Sequence, residues 1–299
     1  MGKKKASSLI KGFKKKRSKA LLSPHPGLFP YFSFFLMFAL VVFGWLTIII
    51  DSRTSPNIFT SDTWSRIQLF FGNFSGTEPF ERPAYSQWDS WKEALILARE
   101  TIQMSVLAIV IAGLGVAVTI VFASTNLVRR KNVSLDYGFS SILFLFTKTL
   151  YLFSRAVPEL VWALLVIFVL NPGILAGALA LAIHNFGVLG RLNADIVEDV
   201  DPAPIDSLRS SGAGNIQVLF FGVIPQVLPQ FITFLVYRFE VIVRTSVVVG
   251  LVAVAGLGYK LRLDLAFFRY TDVALLLIIY VLVVWAVDAL SIFMRRLAR

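Results

Sequence analysis

The chain has 299 residues, 57% of them hydrophobic and only 16% charged, with a mean hydropathy of +0.74. A soluble domain of this size carries about a quarter charged residues, so the deficit excludes a large water-soluble core and points to a bilayer protein. The formal charge of +11 does not imply nucleic-acid binding, because nine of the 29 basic residues fall in the first 19 positions, where a juxtamembrane tail on anionic lipid accounts for them. There is no cysteine, which excludes disulfides and thiolate metal sites.

In chain order, residues 1–28 read as a basic cytoplasmic tail and 29–50 as a first transmembrane helix. The uncharged run is too long for a signal-peptide core and is followed by no small-x-small cleavage site. Residues 51–93 form a polar stretch with four Lys/Arg against six Asp/Glu, expected as a periplasmic loop, and 94–299 form the core. At about 20 apolar residues per crossing, further spans are expected at 101–124, 155–171, 174–196, 227–251 and 272–294. The fold class is therefore an all-α membrane protein of six spans. Basic clusters at the N-terminus, at 129–131 and at Arg295, Arg296 and Arg299 place both ends in the cytoplasm by the positive-inside rule.

The apolar segment 137–153 makes a seventh crossing by length, but that parity would separate the 198–222 segment from the C-terminal arginines. It reads as an interfacial helix or as the lower end of a kinked third span with Pro158 at the bend. The fourth span carries small residues at helical spacing: Gly173, Ala176, Gly177, Ala180 and Gly187. Such a face packs inside the monomer, forms a dimer seam or lines a pore.

Between the fourth and fifth apolar runs lies "SLRSSGAGNIQVLFFGVIPQVLPQ", residues 207–230, which is polar, glycine-dotted and closed by prolines. Pro202 and Pro204 suit a helix start, Asp206 suits the positive end of its dipole, and Gly212 and Gly214 stop it after about two turns. The result is a short helix near 202–214 on the cytoplasmic face, with glycine allowing close backbone approach.

The order Asp206-Ser207-Leu208, Gly212, then Gly222-Val223-Ile224-Pro225 resembles the cytoplasmic signature of ABC-importer permeases, EAA-x3-G-x9-I-x-L-P. Asp replaces Glu, Ser and Leu replace the alanines, and Gly and Ile replace Ile and Leu. "IHNFGVLGRL" at 183–192 and "YRFEVIVRTSVVVGLVAVAGLG" at 237–258 look like the phosphonate-type branch over residues 90 to 295. Ala253 and Ala255 depart from it where that branch is rich in glycine. The resemblance implies a type I ABC importer permease, a homodimer in the bacterial inner membrane. Two separate ATPase subunits would hold ATP and magnesium, and a periplasmic binding protein would deliver a phosphonate or related phosphorus oxyanion. It implies too that Asp206, Ser207, Leu208, Arg209, Ser210, Gly212 and Ala213 couple the chain to the ATPase.

Ionisable groups inside spans cost about 2.5–3.5 kcal/mol each and call for a reason. Glu240 and Arg244, like Arg191 and Asp195, stand four apart on one helix face and read as structural pairs. Arg238 lies about 200° around its helix from Glu240 and needs a partner from elsewhere, for which Glu159 is free. Glu159, His184, Asn185 and Arg238 are the candidate lining of a translocation path. Three acids and three bases cancel, so the charge sum does not itself specify an anion. No G-x-x-x-x-G-K-[ST] occurs, so no cofactor is expected on this chain and ATP hydrolysis belongs to a partner. The rival readings are an ABC permease for another small solute such as an amino acid, a secondary transporter with proton-relaying carboxylates, and a lipid-bound anchor.

Overall fold

The computed structural model describes residues 28–50, 61–76, 82–123, 137–253 and 255–297. The basic tail, the 129–131 cluster and Arg299 lie outside them. The chain divides into two compact units, 1–69 and 70–299. The first contains α1 (Leu28–Ile50), whose 23 residues are apolar on every side, the composition of a helix surrounded by hydrocarbon. The polar stretch expected as a loop contains α2 (Ser61–Phe74) and a 3-10 turn at Ala84–Ser86.

The second unit is built around α6 (Ile174–Glu198), flanked by α3 (Trp88–Ala123), α4 (Tyr137–Ala156), α5 (Glu159–Val169) and α8 (Ile224–Ala253). α7 (Pro202–Ser210) lies between α6 and α8, and α9 (Gly256–Ala266) and α10 (Tyr270–Leu297) complete the chain. Among the described residues, four helices are long and apolar enough to cross a bilayer: α3, α6, α8 with the turn before it, and α10; the bent α4–α5 pair makes a fifth. Within α1, Tyr31–Thr47 is a shorter apolar stretch, below the length of these. α3 starts at Trp88 rather than 101, and its 36 residues extend about 54 Å, so its charged first turns project beyond a hydrocarbon core about 30 Å thick.

Small residues explain how closely α6 is surrounded. Ala176, Ala178 and Ala180 are fully buried. A Cβ at Gly177 would run into the Met104 sulfur of α3, and one at Gly187 would stand 2.5 Å from the Tyr151 carbonyl of α4. The small-residue stripe is thus the inner face of the monomer. Only Gly173, at its start, has open space beside it.

The expected span at 155–171 is not a continuous helix. Pro158 has no N–H and clashes with the preceding turn, so α4 ends at Ala156 and α5 leaves at 99°. Eleven residues of α5 extend only about 16 Å, too short to cross alone. Side chains satisfy the carbonyls freed at the break: Trp162 Nε1 donates to Ser154 O at 3.0 Å, and His184 Nδ1 lies 3.0 Å from Val157 O. Tyr151 and Thr119 share a 2.7 Å hydroxyl bond, which ties α4 to α3.

At the far end, α8 reverses tightly into α9. A Cβ at Gly250 would stand 2.6 Å from Ala255 O, and one at Gly258 would overlap Val247 O. The first N–H groups of α9, which have no partner within the helix, are capped from α3, with Gly256 N donating to Glu100 Oε2 at 3.1 Å and Leu257 N to Thr101 Oγ1 at 2.9 Å. A carboxylate there also meets the positive end of the helix dipole. Ala253 and Ala255, the two departures from the glycine-rich pattern, are both buried.

Candidate functional site

Glu159, His184, Asn185 and Arg238 come together where α5 begins. The break at Pro158 turns the first residue of α5 toward α6, so Glu159 Oε1 lies 3.7 Å from His184 Nε2, each side chain about one-sixth exposed. One residue on, Asn185 is fully buried. Its amide nitrogen donates to Leu181 O at 2.8 Å, which turns its oxygen the other way. Arg238 of α8 meets that oxygen with Nε at 2.9 Å and with Nη2. The expected Arg238–Glu159 ion pair does not form. Glu159 acts on Arg238 only through space, and among the described residues no carboxylate lies within ion-pair distance of this guanidinium. The result is a cation held by a neutral acceptor beside a histidine–carboxylate couple.

The structural pairs are laid out differently. Arg191 Nε lies 3.1 Å from Asp195 Oδ2, about half exposed. Arg244 contacts Glu240 and, at 3.0 Å, Asp288 of α10. Arg295 of α10 reaches Glu240 at 3.4 Å. Two acids and two bases therefore tie α8 to α10, and Asp288 and Arg295 are members that spacing along one helix does not reveal.

The second candidate is α7. Its N-cap is Asp201, whose carboxylate accepts from Ala203 N at 3.0 Å, with Pro202 at the first helical position. Asp206 is not at the positive end; it sits on the exposed face with Ser207 and Ser210, and Arg209 Nη1 stands 3.9 Å from it. Serine hydroxyls at 207 and 210 bond back to carbonyls of their own helix. The helix stops in a Schellman turn: Gly212 N donates to Arg209 O at 2.9 Å and Ala213 N to Leu208 O at 3.0 Å. Gly212 takes φ +85, and a Cβ there would meet nothing within 4 Å. Its role within the chain is the left-handed backbone, not close approach.

Close approach occurs at Gly222 instead. A Cβ at Gly222 would stand 3.1 Å from Leu208 Cδ1 and 3.5 Å from Ile205 Cγ1. Ile205 packs with Val197, Val218 and Val223, with Leu208 and Ala213 at the edge. Gly222 belongs to a π-helical stretch, Val218–Val223, that runs into α8. Pro225 follows it without disruption, because carbonyl bonding has already shifted by one residue. The only hint in the sequence was that glycine occupies the isoleucine position of the signature.

Between α6 and α8 lies a cavity of about 370 Å³, lined by Asp195, Asp199, Asp201, Gln226 and Gln230. None of Asp199, Gln226 and Gln230 stands out in the sequence.

Residues 133–298 match the family described as binding-protein-dependent transport system inner membrane component. The chain belongs to this family. It is accordingly a multi-pass inner-membrane component of a transport system. It is 34% identical over 214 residues to the phosphite transport system permease protein PtxC of Stutzerimonas stutzeri, covering 72% of this chain and 73% of that protein. It is 32% identical to the phosphate-import permease protein PhnE of Mycolicibacterium smegmatis, over 68% of this chain and 36% of that protein. The putative cryptic phosphonate transport system permease protein PhnE2 of Escherichia coli K12 is 36% identical over 40% of this chain and 97% of its own length. Among solved structures, this inner-membrane component resembles an amino acid ABC transporter chain with TM-score 0.55 at 21% identity, over 70% of this chain and 98% of that one. A chain of the MetNI methionine ABC transporter gives 0.57 at 16%, over 69% and 95%. These likenesses concern the fold.

Proposed function

We propose that the chain is the translocating permease of an ATP-driven importer for phosphonate or a related small phosphorus oxyanion such as phosphite or phosphate. The observation that carries the reading is Arg238, an intramembrane cation held by Asn185 rather than by a carboxylate. A charge kept in a membrane span without a counter-ion is costly and marks a transport path. The relatives' names supply the substrate class. At the edge of the site, Glu159 takes the favourable place for negative charge in the first turn of α5, beside His184.

In this reading two copies pair around the path, and both chain ends lie in the cytoplasm. Each α7 docks in one of two separate ATPase subunits, which bind ATP and magnesium, and a periplasmic binding protein delivers the ligand. Exposed Asp206, Ser207 and Ser210 form the docking face, while Ile205 and Leu208 hold the helix to its own chain. ATP-driven closure of the ATPases moves α7, and the spans alternate between outward and inward access.

The test is uptake of labelled phosphonate, phosphite and phosphate per assembled complex in membranes. Arg238→Ala is expected to assemble and to lose uptake at least about a hundredfold, and Arg238→Lys at least about tenfold, because a point charge does not reproduce the planar fork. Full uptake by Arg238→Ala would remove the oxyanion reading.

A further inference from the structure

We propose that Asn185 is a positioning residue: it anchors Arg238 by a neutral oxygen so that the terminal edge and the full charge of the guanidinium remain for the transported oxyanion. This rests on the reading that Arg238 meets the substrate. A guanidinium has five N–H donors. Nε–H and one Nη2–H converge on Asn185 Oδ1, leaving the two on Nη1 and the second on Nη2. The second Nη2–H and one Nη1–H form the end of the fork, the edge that takes two oxygens of a tetrahedral anion side by side. Among the described residues nothing else holds Arg238 by a hydrogen bond.

The anchor is itself fixed. Asn185 is fully buried, and its amide hydrogen bond to Leu181 O at 2.8 Å decides which end of the carboxamide faces Arg238. A carboxylate at this position would hold the same edge more firmly, but it would cancel the charge. Two other arginines contrast with it: Arg191 faces Asp195, and Arg244 faces Glu240 and Asp288. Those two arginines are matched by acids; Arg238 is matched by an amide.

The experiment compares Asn185→Asp, Asn185→Leu and Asn185→Gln in the full complex, reading phosphonate uptake against concentration per assembled complex. Asn185→Asp is expected to lose uptake at least about tenfold. Asn185→Leu, which keeps the charge but frees the fork, should raise KM about three- to tenfold with the maximal rate nearly kept. Asn185→Gln should lie nearest to wild type. A purely structural role predicts the reverse order, since aspartate keeps both bonds from Arg238 and leucine keeps neither. Asp equal to or better than Leu overturns the neutral anchor. Should the Asp variant fail to assemble, Gln and Leu decide: a lower KM for Gln supports the proposal and equal KM values overturn it. Loss of uptake in Arg238→Ala together with normal uptake in Asn185→Asp would refute the anchor alone, whereas normal uptake in Arg238→Ala refutes the oxyanion reading beneath it.

Discussion

Two arginines on α8 stand six residues, about 9 Å, apart and are treated in opposite ways. Arg244 lies in a four-membered network with Glu240, Asp288 and Arg295, and closes α8 onto α10. Arg238 touches one neutral oxygen. The residue type and the helix are the same, so the difference lies in the partner. A charge matched by carboxylates holds the fold; a charge matched by an amide is left available. The same distinction between holding and being held out runs through α7, where Ile205 and Leu208 face inward and Asp206 and Ser207 face outward.

The comparison would break first at Arg244. Removing one partner of a fully buried pair costs about 3–5 kcal/mol. Arg244 is 42% exposed, however, and Glu240 keeps Arg295 at 3.4 Å. The expected loss is therefore about 1–3 kcal/mol, after discounting for solvent. Arg244→Ala should reduce the amount of assembled protein while leaving uptake per complex near wild type, and Glu240→Gln/Arg244→Gln should recover part of the loss. Normal assembly with poor uptake would move Arg244 to the side of Arg238.

A comparable effect is expected at Gly222, which lets α7 lie against the π-helical turn. Leucine there must push Leu208 and Ile205 aside, and overpacking of this kind costs about 1–3 kcal/mol. Gly222→Leu should detach α7 from its own chain. Coupling of ATP hydrolysis to uptake would then fall more than the amount of protein in the membrane. Tight coupling in this variant would show that α7 does not need its seat.

Much of this was legible from local pattern. The bounds of α6 and α8 follow from apolar run lengths, the 240/244 and 191/195 pairs from helical spacing, and α7 from its prolines and glycines. Other features depend on residues distant in sequence. Asp288 and Arg295 join Glu240 and Arg244 from 44 to 55 positions away, and no periodicity encodes such a meeting. Pro158 announces a bend but not its 99°, which depends on Trp162 and His184 taking the freed carbonyls. Glu159 was the natural partner for Arg238 by charge counting. The observed choice of Asn185 depends on which face of α6 meets α8. Gly212 and Gly222 are glycines of one motif, and only the packing tells close approach at Gly222 from backbone conformation at Gly212.

A third kind of charge partnership sharpens the contrast. Asp264 of α9 is almost fully buried. Its Oδ1 is 3.8 Å from Lys260 and 3.9 Å from Arg269, and its Oδ2 has no hydrogen-bond partner among the described residues. Burial raises its pKa, Lys260 opposes that, and Asp272 adds to it. A carboxyl whose pKa is higher in the folded state favours the protonated form there. Stability is thus fully present below the unfolded value, about 4, and declines as pH rises through the folded one. Asp264→Asn, which mimics the protonated form, should match wild type in thermal stability near pH 4 and exceed it at pH 7. A variant less stable at pH 7 would show that the two long contacts outweigh burial, and Asp264 would then join the matched charges.

The smallest effect is expected at Gly212, where conformation and contact can be separated. The residue sits at φ +85 with open space around the missing Cβ, so a side chain meets no clash within the chain and only the left-handed backbone resists it. Asparagine tolerates that conformation, and Gly212→Asn should change stability by less than about 0.5 kcal/mol; Gly212→Ala should cost about 1 kcal/mol. These values concern the chain alone. If α7 enters a socket on the ATPase, the open space beside Gly212 is filled in the complex. Gly212→Asn should then lower ATPase affinity more than its negligible effect on the isolated chain would suggest. The measurement is ATPase binding to the purified permease variants alongside their thermal unfolding. Equal affinity for wild type and Gly212→Asn would show that this side of the Schellman turn faces water in the assembled transporter, and would confine the docking face to Asp206, Ser207 and Ser210.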